Sequence, residues 1–325
     1  MSYKTGWKGR YGRDKHGGYA LIITLWVLVL LSMLAMTFNL SSRLSTAMVR
    51  NFKEETVANY LAVSGYNMVL REIMADRDRA VDFMDEEGRF YLDRESGPLP
   101  DTIHLPEGDV RVRVEDEEGR ININHVSENI LRLVLKNRGV DWEKQNELID
   151  SLKDWIDPDD AHRLNGAEDE YYELLGYQAK NDRLDLLDEL LLVKGFDREL
   201  VYGNDESPGL ARYFTTFGTG GLNINTASRE LMRLLGLGEI EIDTVMNQRT
   251  VTVGGYRMIP PRFTAAGFSR TSTMYFRVVV EATPAGSNIS YRIESVLKRI
   301  PALKGYDLET LYWRENVLYS SSKAQ

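Results

Sequence analysis

Residues 18–36 read GYALIITLWVLVLLSMLAM, and this run decides how the chain is organised. From Gly17 to Ser42 the only ionisable side chain is the Tyr19 phenol. About 20 apolar residues, each rising 1.5 Å, cross the roughly 30 Å hydrocarbon core of a bilayer. The preceding flank is basic, with Lys4, Lys8, Arg10, Arg13 and Lys15 against Asp14 alone. Such a flank stays in the cytoplasm and sends the remainder of the chain across the membrane. Residues 40–78 contain no proline, and Leu44, Met48, Val57, Leu61, Ser64, Met68 and Ile73 recur near helical spacing. One unbroken helix is therefore predicted from about Ala20 to Asp76, on the order of 80 Å long, half in the membrane and half on a globular head.

Three readings of this start compete. The length of the run and its charged flank argue against a buried core helix. A Sec signal peptide needs a small-x-small cleavage site, which Met33 and Ala35 supply poorly. In a prepilin-type leader the cut falls before the apolar run, after Gly18, and Tyr19 becomes the first residue of a mature chain that keeps its helix. The unbroken continuation of the helix favours this third reading.

The whole chain has 325 residues, 40 Lys and Arg against 49 Asp and Glu, a net charge of −9 and no cysteine. Disulfides, thiolate metal sites and thiol catalysis are thereby excluded. Histidines occur only at 16, 104, 125 and 162, which leaves little for an imidazole-built centre. The acidic balance argues against nucleic acid as the main partner.

Alternation in Val110-Arg-Val-Arg-Val114 marks a half-buried strand. Tyr275–Val280 and Ser290–Leu297 alternate likewise around the turn-rich Pro284–Asn288, predicting an antiparallel hairpin. Between them lie helical patterns over Ser127–Asn137, Trp142–Asp157, Glu168–Tyr177, Leu186–Val193 and Ser228–Leu235. A repeat brackets this block: Ile121-Asn-Ile-Asn and the ten residues after it match Leu222-Asn-Ile-Asn and its sequel at an offset of 101. In each copy an extended h-N-h-N stretch runs into a capped helix. Leu234–Gly238 and Leu191–Gly195 resemble helix–hairpin–helix turns. Glu239-Ile-Glu-Ile-Asp243 after the second turn would repel phosphate, so the turns are read as packing devices.

The most chemical-looking segment joins Asp154-Trp-Ile-Asp-Pro-Asp-Asp160 to Asn165-Gly-Ala-Glu-Asp-Glu170. Pro158 should end the helix, and Asn165-Gly166 should turn the two acidic groups toward each other. Asp157, Asp159, Asp160, Glu168 and Asp169 are the candidate ligands of a hard cation, Ca²⁺ being the one that accepts many oxygens in flexible geometry. A solvated acidic loop and a catalytic carboxylate pair are the competing readings. No nucleophile, base or cofactor motif accompanies the latter.

Taken together, the Gly18 junction, the paired I-N-I-N and L-N-I-N-T-A segments, D-W-I-D-P-D with G-A-E-D-E-Y-Y, D-E-L-L-L-V-K-G at 188–195 and the closing Ser295–Arg299 strand resemble general secretion pathway protein K, the large minor pseudopilin of type II secretion systems. The resemblance implies an α+β fold: a long N-terminal transmembrane pilin helix packed on an antiparallel sheet, with a large inserted α-helical domain containing helix–hairpin–helix-like turns. The expected divisions are a leader at 1–18, a transmembrane segment at 19–42, pilin helix and first strands at 43–124, the helical insertion at 125–250 and closing strands at 251–325. It further implies a structural Ca²⁺ near the acidic signature, the I-type and J-type minor pseudopilins and a prepilin peptidase as partners, an inner-membrane anchor with a periplasmic head, and no catalysis. Ile23 stands fifth after Gly18, where most pilin-type subunits carry Glu. A subunit with no neighbour above it gains nothing from a carboxylate in lipid, so Ile23 fits a cap. The alternative function is a signal-anchored, calcium-dependent periplasmic binding or hydrolytic protein.

Overall fold

The computed structural model describes residues 17–204 and 207–319. The basic leader over residues 1–16 and the last residues, 320–325, lie outside the described residues. The chain divides into two compact units, 1–56 and 57–325.

In the first unit, helix α1 (Gly17–Ala75) opens at the glycine pair, and every side chain from Tyr19 to Lys53 is exposed. Among the described residues this is the one helix long and apolar enough to cross a membrane.

In the second unit α1 continues from Val57, then β1 (Phe83–Met84), β2 (Phe90–Tyr91), β3 (Thr102–Leu105) and β4 (Gly108–Asp116) follow. The helical block holds β5 (Ile121–Asn122), α2 (Glu128–Asn137), α3 (Trp142–Ile156), α4 (Asp169–Tyr172), α5 (Arg198–Tyr202), β6 (Phe214–Thr215), β7 (Leu222–Asn223), α6 (Arg229–Leu234), α7 (Glu239–Gln248), α8 (Pro261–Ala265) and β8 (Phe268–Arg270). The chain closes with β9 (Tyr275–Pro284), β10 (Ile289–Pro301) and β11 (Tyr306–Tyr319).

The main sheet is antiparallel, in the order β11-β10-β9-β4-β3. The strand expected at 110–114 is β4, with Val110, Val112 and Val114 buried and Arg111 and Arg113 exposed. Inward side chains of β4, β9 and β10 meet Ala58, Leu61, Ala62, Tyr66, Val69 and Ile73 of α1 in one core. Small residues on that helix face allow close approach: a Cβ on Gly65 would stand 2.5 Å from Val110 Cγ1. Of the apolar stripe read from the sequence, Leu61 and Ile73 lie in this core, whereas Ser64 and Met68 are exposed and Ala58, Ala62 and Tyr66 take their place.

A second core runs from Ile121 to Phe268. The expected helices at 127–137, 142–157 and 228–235 are α2, α3 and α6. The segment at 168–177 is shorter than expected, α4 followed by a 3₁₀ turn at Glu173–Leu175, and 187–192 is 3₁₀ throughout. The turn at 234–238 links α6 to α7, with Gly236 at φ 91°. Its counterpart in the first copy is Gly139, φ 75°, between α2 and α3, which the sequence analysis did not single out. Beyond Pro301, Tyr306–Tyr319 form β11, which pairs antiparallel with β10 from Ile289 to Pro301 with a register shift at Val296/Leu297.

Side chains at the end of β4 hold the helical block to the sheet. Glu117 pairs with Arg277 (2.5 Å) and Arg120 (3.0 Å), while Asp116 accepts from Asn223 and Thr226, each at 2.8 Å. Burial pushes the Asp116 carboxyl up to about 7 against those hydrogen bonds.

Candidate functional site: an acidic loop in the helical block

Helix α3 stops at Ile156 because Pro158 cannot continue it, and Asp157 takes the C-cap position. Asp154, one turn before Asp157 on α3, is fully buried. The chain then loops through Asp159 and Asp160 and returns at Asn165-Gly166, which lies against α3. Asn165 donates from its backbone (3.1 Å) and its side chain (2.8 Å) to Asp150 Oδ2. Gly166 is required by proximity: a Cβ there would stand 1.8 Å from Asp154 Oδ2. Below the loop, Trp155 meets Tyr172 edge-on at 4.9 Å and Tyr172 stacks on Tyr177 at 5.5 Å, so α3 and α4 share an aromatic floor.

Glu168 is the residue that this arrangement leaves exposed to the greatest electrostatic cost. It is 5% accessible, and neither carboxylate oxygen has a hydrogen-bond partner. Burial, then the negative fields of Asp154, Asp157, Asp160 and Asp159, push it up to about 7. Asp157 Oδ1 and Asn181 Oδ1 are likewise buried without a partner. Asn181, at φ 49°, donates its amide to Asp160 Oδ1 at 3.0 Å.

A guanidinium faces the cluster. Arg163 Nη1 lies 2.6 Å from Asp154 Oδ1 and 2.6 Å from Asp157 Oδ2, and the Arg163 backbone N–H donates to Asp154 Oδ2 at 3.0 Å. Burial disfavours the charged guanidinium, but the hydrogen bonds it donates to Asp157 and Asp154 outweigh it and raise the Arg163 pKa.

Asp154, Asp157, Asp159 and Asp160 thus all act on Glu168, and Arg163 and Asn181 contact members of this group. Asp169 turns elsewhere, accepting from the Ala179 N–H at 2.8 Å. Asp154 was visible in principle, since residues three apart share a helix face. Asn181 carries no local signal beyond tolerance of a left-handed backbone. Among the described residues no three His, Asp or Glu side chains form a ready coordination sphere. The unpartnered oxygens are nonetheless hard donors of the kind a calcium ion takes.

The processing candidates lie at the other end of the chain. Gly18 and Tyr19 sit in the first turn of α1, and Ile23 lies exposed one turn further on.

Residues 113–202, from β4 to the end of α5, match the family of the type II secretion system protein K. The chain is similar to that family over this stretch. A putative type II secretion system protein K of Escherichia coli K12 is 26% identical over 203 residues, covering 58% of this chain and 60% of the relative. The Aeromonas hydrophila type II secretion system protein K is 28% identical over 246 residues, 68% of this chain and 70% of the relative. The chain thus spans about three fifths of the length of the Escherichia coli relative. Its fold is also that of a chain in the crystal structure of the GspK-GspI-GspJ complex from enterotoxigenic Escherichia coli, with a TM-score of 0.61 at 17% identity over 83% of this chain and 99% of that one. Family members are structural components of a pseudopilus. The long apolar N-terminal helix fits a single-pass membrane anchor.

Proposed function

We propose that this chain is a minor pseudopilin of a type II secretion system. It is held in the inner membrane by the apolar part of α1, with its head in the periplasm, and it caps the pseudopilus tip and helps to start its assembly. It acts by shape and contact, without catalysis. The observation that carries this is that one helix supplies both the exposed apolar run and the buried spine Ala58–Ile73 of the sheet. An ordinary anchored protein has no need of that continuity. The solved relative was crystallised with I and J chains, which supports I-type and J-type subunits as partners. Ile23, apolar where pilin-type subunits carry Glu, supports the cap position. Sequencing the mature N-terminus tests the assignment: a start at Tyr19 agrees with it, and a start beyond Ala35 overturns it.

The acidic loop is assigned to calcium on the same footing. Asp157 and Glu168, with Asp159 and Asp160 beside them, would hold the ion, which would supply the positive charge that these carboxylates lack. Glu168 then serves as a fixed carboxylate, and the loop between α3 and α4 is ordered by its own acids. Binding to the folded state alone stabilises it by RT ln(1 + [L]/Kd). The full chain in detergent should therefore melt higher in Ca²⁺ than in chelator, and Asp157→Ala or Glu168→Ala should abolish the difference. Equal melting temperatures for the wild type under both conditions rule the ion out.

A further inference from the structure

We propose that Arg163 is a tethered cation that competes with the divalent ion for the acidic loop and so sets the loop's affinity. The inference rests on the calcium assignment above. Three observations carry it. First, the oxygens of Asp154 and Asp157 divide into two sets. Asp154 Oδ1, Asp154 Oδ2 and Asp157 Oδ2 are taken by Arg163, whereas Asp157 Oδ1 and both oxygens of Glu168 have no partner. The guanidinium thus occupies one half of a carboxylate whose other half is free. Second, among the described residues the acids do not converge into a finished coordination sphere, and Arg163 Nη1 bridges two of them. Third, the Arg163 side chain is 39% accessible whereas that of Asp154 is fully buried. The cation can swing into water, and the carboxylate cannot.

A guanidinium and a divalent ion sharing the Asp157 carboxylate repel each other across a few ångströms in a poorly solvated place. Either one is therefore bound at the expense of the other. With no ion present, Arg163 offsets the repulsion among Asp154, Asp157 and Glu168, and the loop stays closed. When the ion arrives, Nη1 leaves Asp157. Like-charge repulsion of this size corresponds to at least about a tenfold change in binding constant.

The experiment is a Ca²⁺ titration of the detergent-solubilised full chain, read by tryptophan fluorescence. Trp155 lies between Asp154 and Ile156 and reports on the loop. R163Q should bind Ca²⁺ at least about tenfold more tightly than wild type and melt lower in chelator. R163K, which keeps a point charge, should stay within about threefold of wild type. A wild type that does not respond to Ca²⁺ overturns the calcium assignment and this proposal with it. A responding wild type whose R163Q variant binds equally or more weakly overturns only this proposal. Should R163Q fail to fold, the wild type still decides the matter: in ¹⁵N-arginine spectra one guanidinium protected from solvent exchange in chelator should exchange freely on adding Ca²⁺, and unchanged protection rules the displacement out.

Discussion

Replacing Arg299 with methionine removes the charge that pins the end of α1 to the sheet. The Arg299 side chain is fully buried between the rings of Phe276 and Tyr306, with its guanidinium carbon 4.6 and 4.3 Å from their centres. It reaches Asp76, just past the end of α1, at 3.2 Å, and Asp82, before β1, at 3.1 Å. Two buried carboxylates thus share one cation. Burial pushes Asp82 up to about 7 even with Arg299 opposing it, and Asp76 shifts the same way for the same reason. Both acids are raised above their unfolded values. From about pH 4 to pH 7 the folded state keeps a proton that the unfolded chain releases, so stability falls as pH rises. R299M removes the opposing field and enlarges that loss. At pH 8, where both acids ionise on unfolding, the cost should be about 3–5 kcal/mol, as for breaking a buried pair. At pH 5 Asp82 stays neutral in the variant, and the loss falls toward that of the stacking and hydrogen bonds, about 1–2 kcal/mol. At about 2–4 °C per kcal/mol, melting should drop by roughly 6–20 °C at pH 8 and by roughly 2–8 °C at pH 5. Thermal unfolding of the full chain in detergent, followed by circular dichroism at both pH values, measures this. Adding D82N to R299M should recover part of the loss at pH 8 only. An equal drop at both pH values would refute the charge argument and leave packing alone.

Gly18→Leu should block leader removal, leaving a heavier membrane-held precursor by mass spectrometry. Normal maturation would move the cut elsewhere. Gly65→Ala places a methyl 2.5 Å from Val110 Cγ1, an overpacking cost of about 1–3 kcal/mol against a helix-propensity gain of about 1 kcal/mol, and adding V110A should relieve it in denaturant melts. Gly166→Ala should destabilise by a similar 1–3 kcal/mol, about what overpacking costs, and blunt the Ca²⁺-induced rise in melting temperature, because fully buried Asp154 has nowhere to move.

The parts of this molecule legible in its sequence are those with local causes. The apolar run, the β4 alternation and the proline stop after α3 each follow from neighbours within a few residues. The sheet face of α1 was legible in part: Leu61 and Ile73 lie in the core, whereas the close approach of β4 at Gly65 has no bulky side chain to signal it. β11 was missed for a different reason. Opposite the Val296/Leu297 irregularity of β10 the pairing steps from Tyr312 to Thr310 and leaves Leu311 unpaired. One extra residue reverses the phase of alternation, so no single period runs through 306–319. Arg299 was quoted only as the end of a strand, because its partners lie more than two hundred residues away.

The asparagine repeat shows why the acidic loop was legible while the cation beside it was not. In each copy the first Asn accepts from the N–H two residues on, Asn122 from Asn124 and Asn223 from Asn225, both at 2.9 Å. The second Asn then bonds a distant backbone through both its atoms: Asn124 holds Leu184 at 2.9 and 2.8 Å, and Asn225 holds Tyr256 at 2.8 Å each way. The repeat is thus a pair of staples, and the first closes the segment from Asn124 to Leu184, which contains α2, α3 and the whole acidic loop. With Asn124 fixed at one end and Leu184 at the other, the entropy of closing the segment is already met by neutral hydrogen bonds. What is left for charge to decide is the interior, between Asp154 and Glu168, where Arg163 pairs with Asp154 and Asp157. A staple announces itself by repetition. A cation that bridges two acids is a lone arginine in a loop, and only the distances around it reveal the contact.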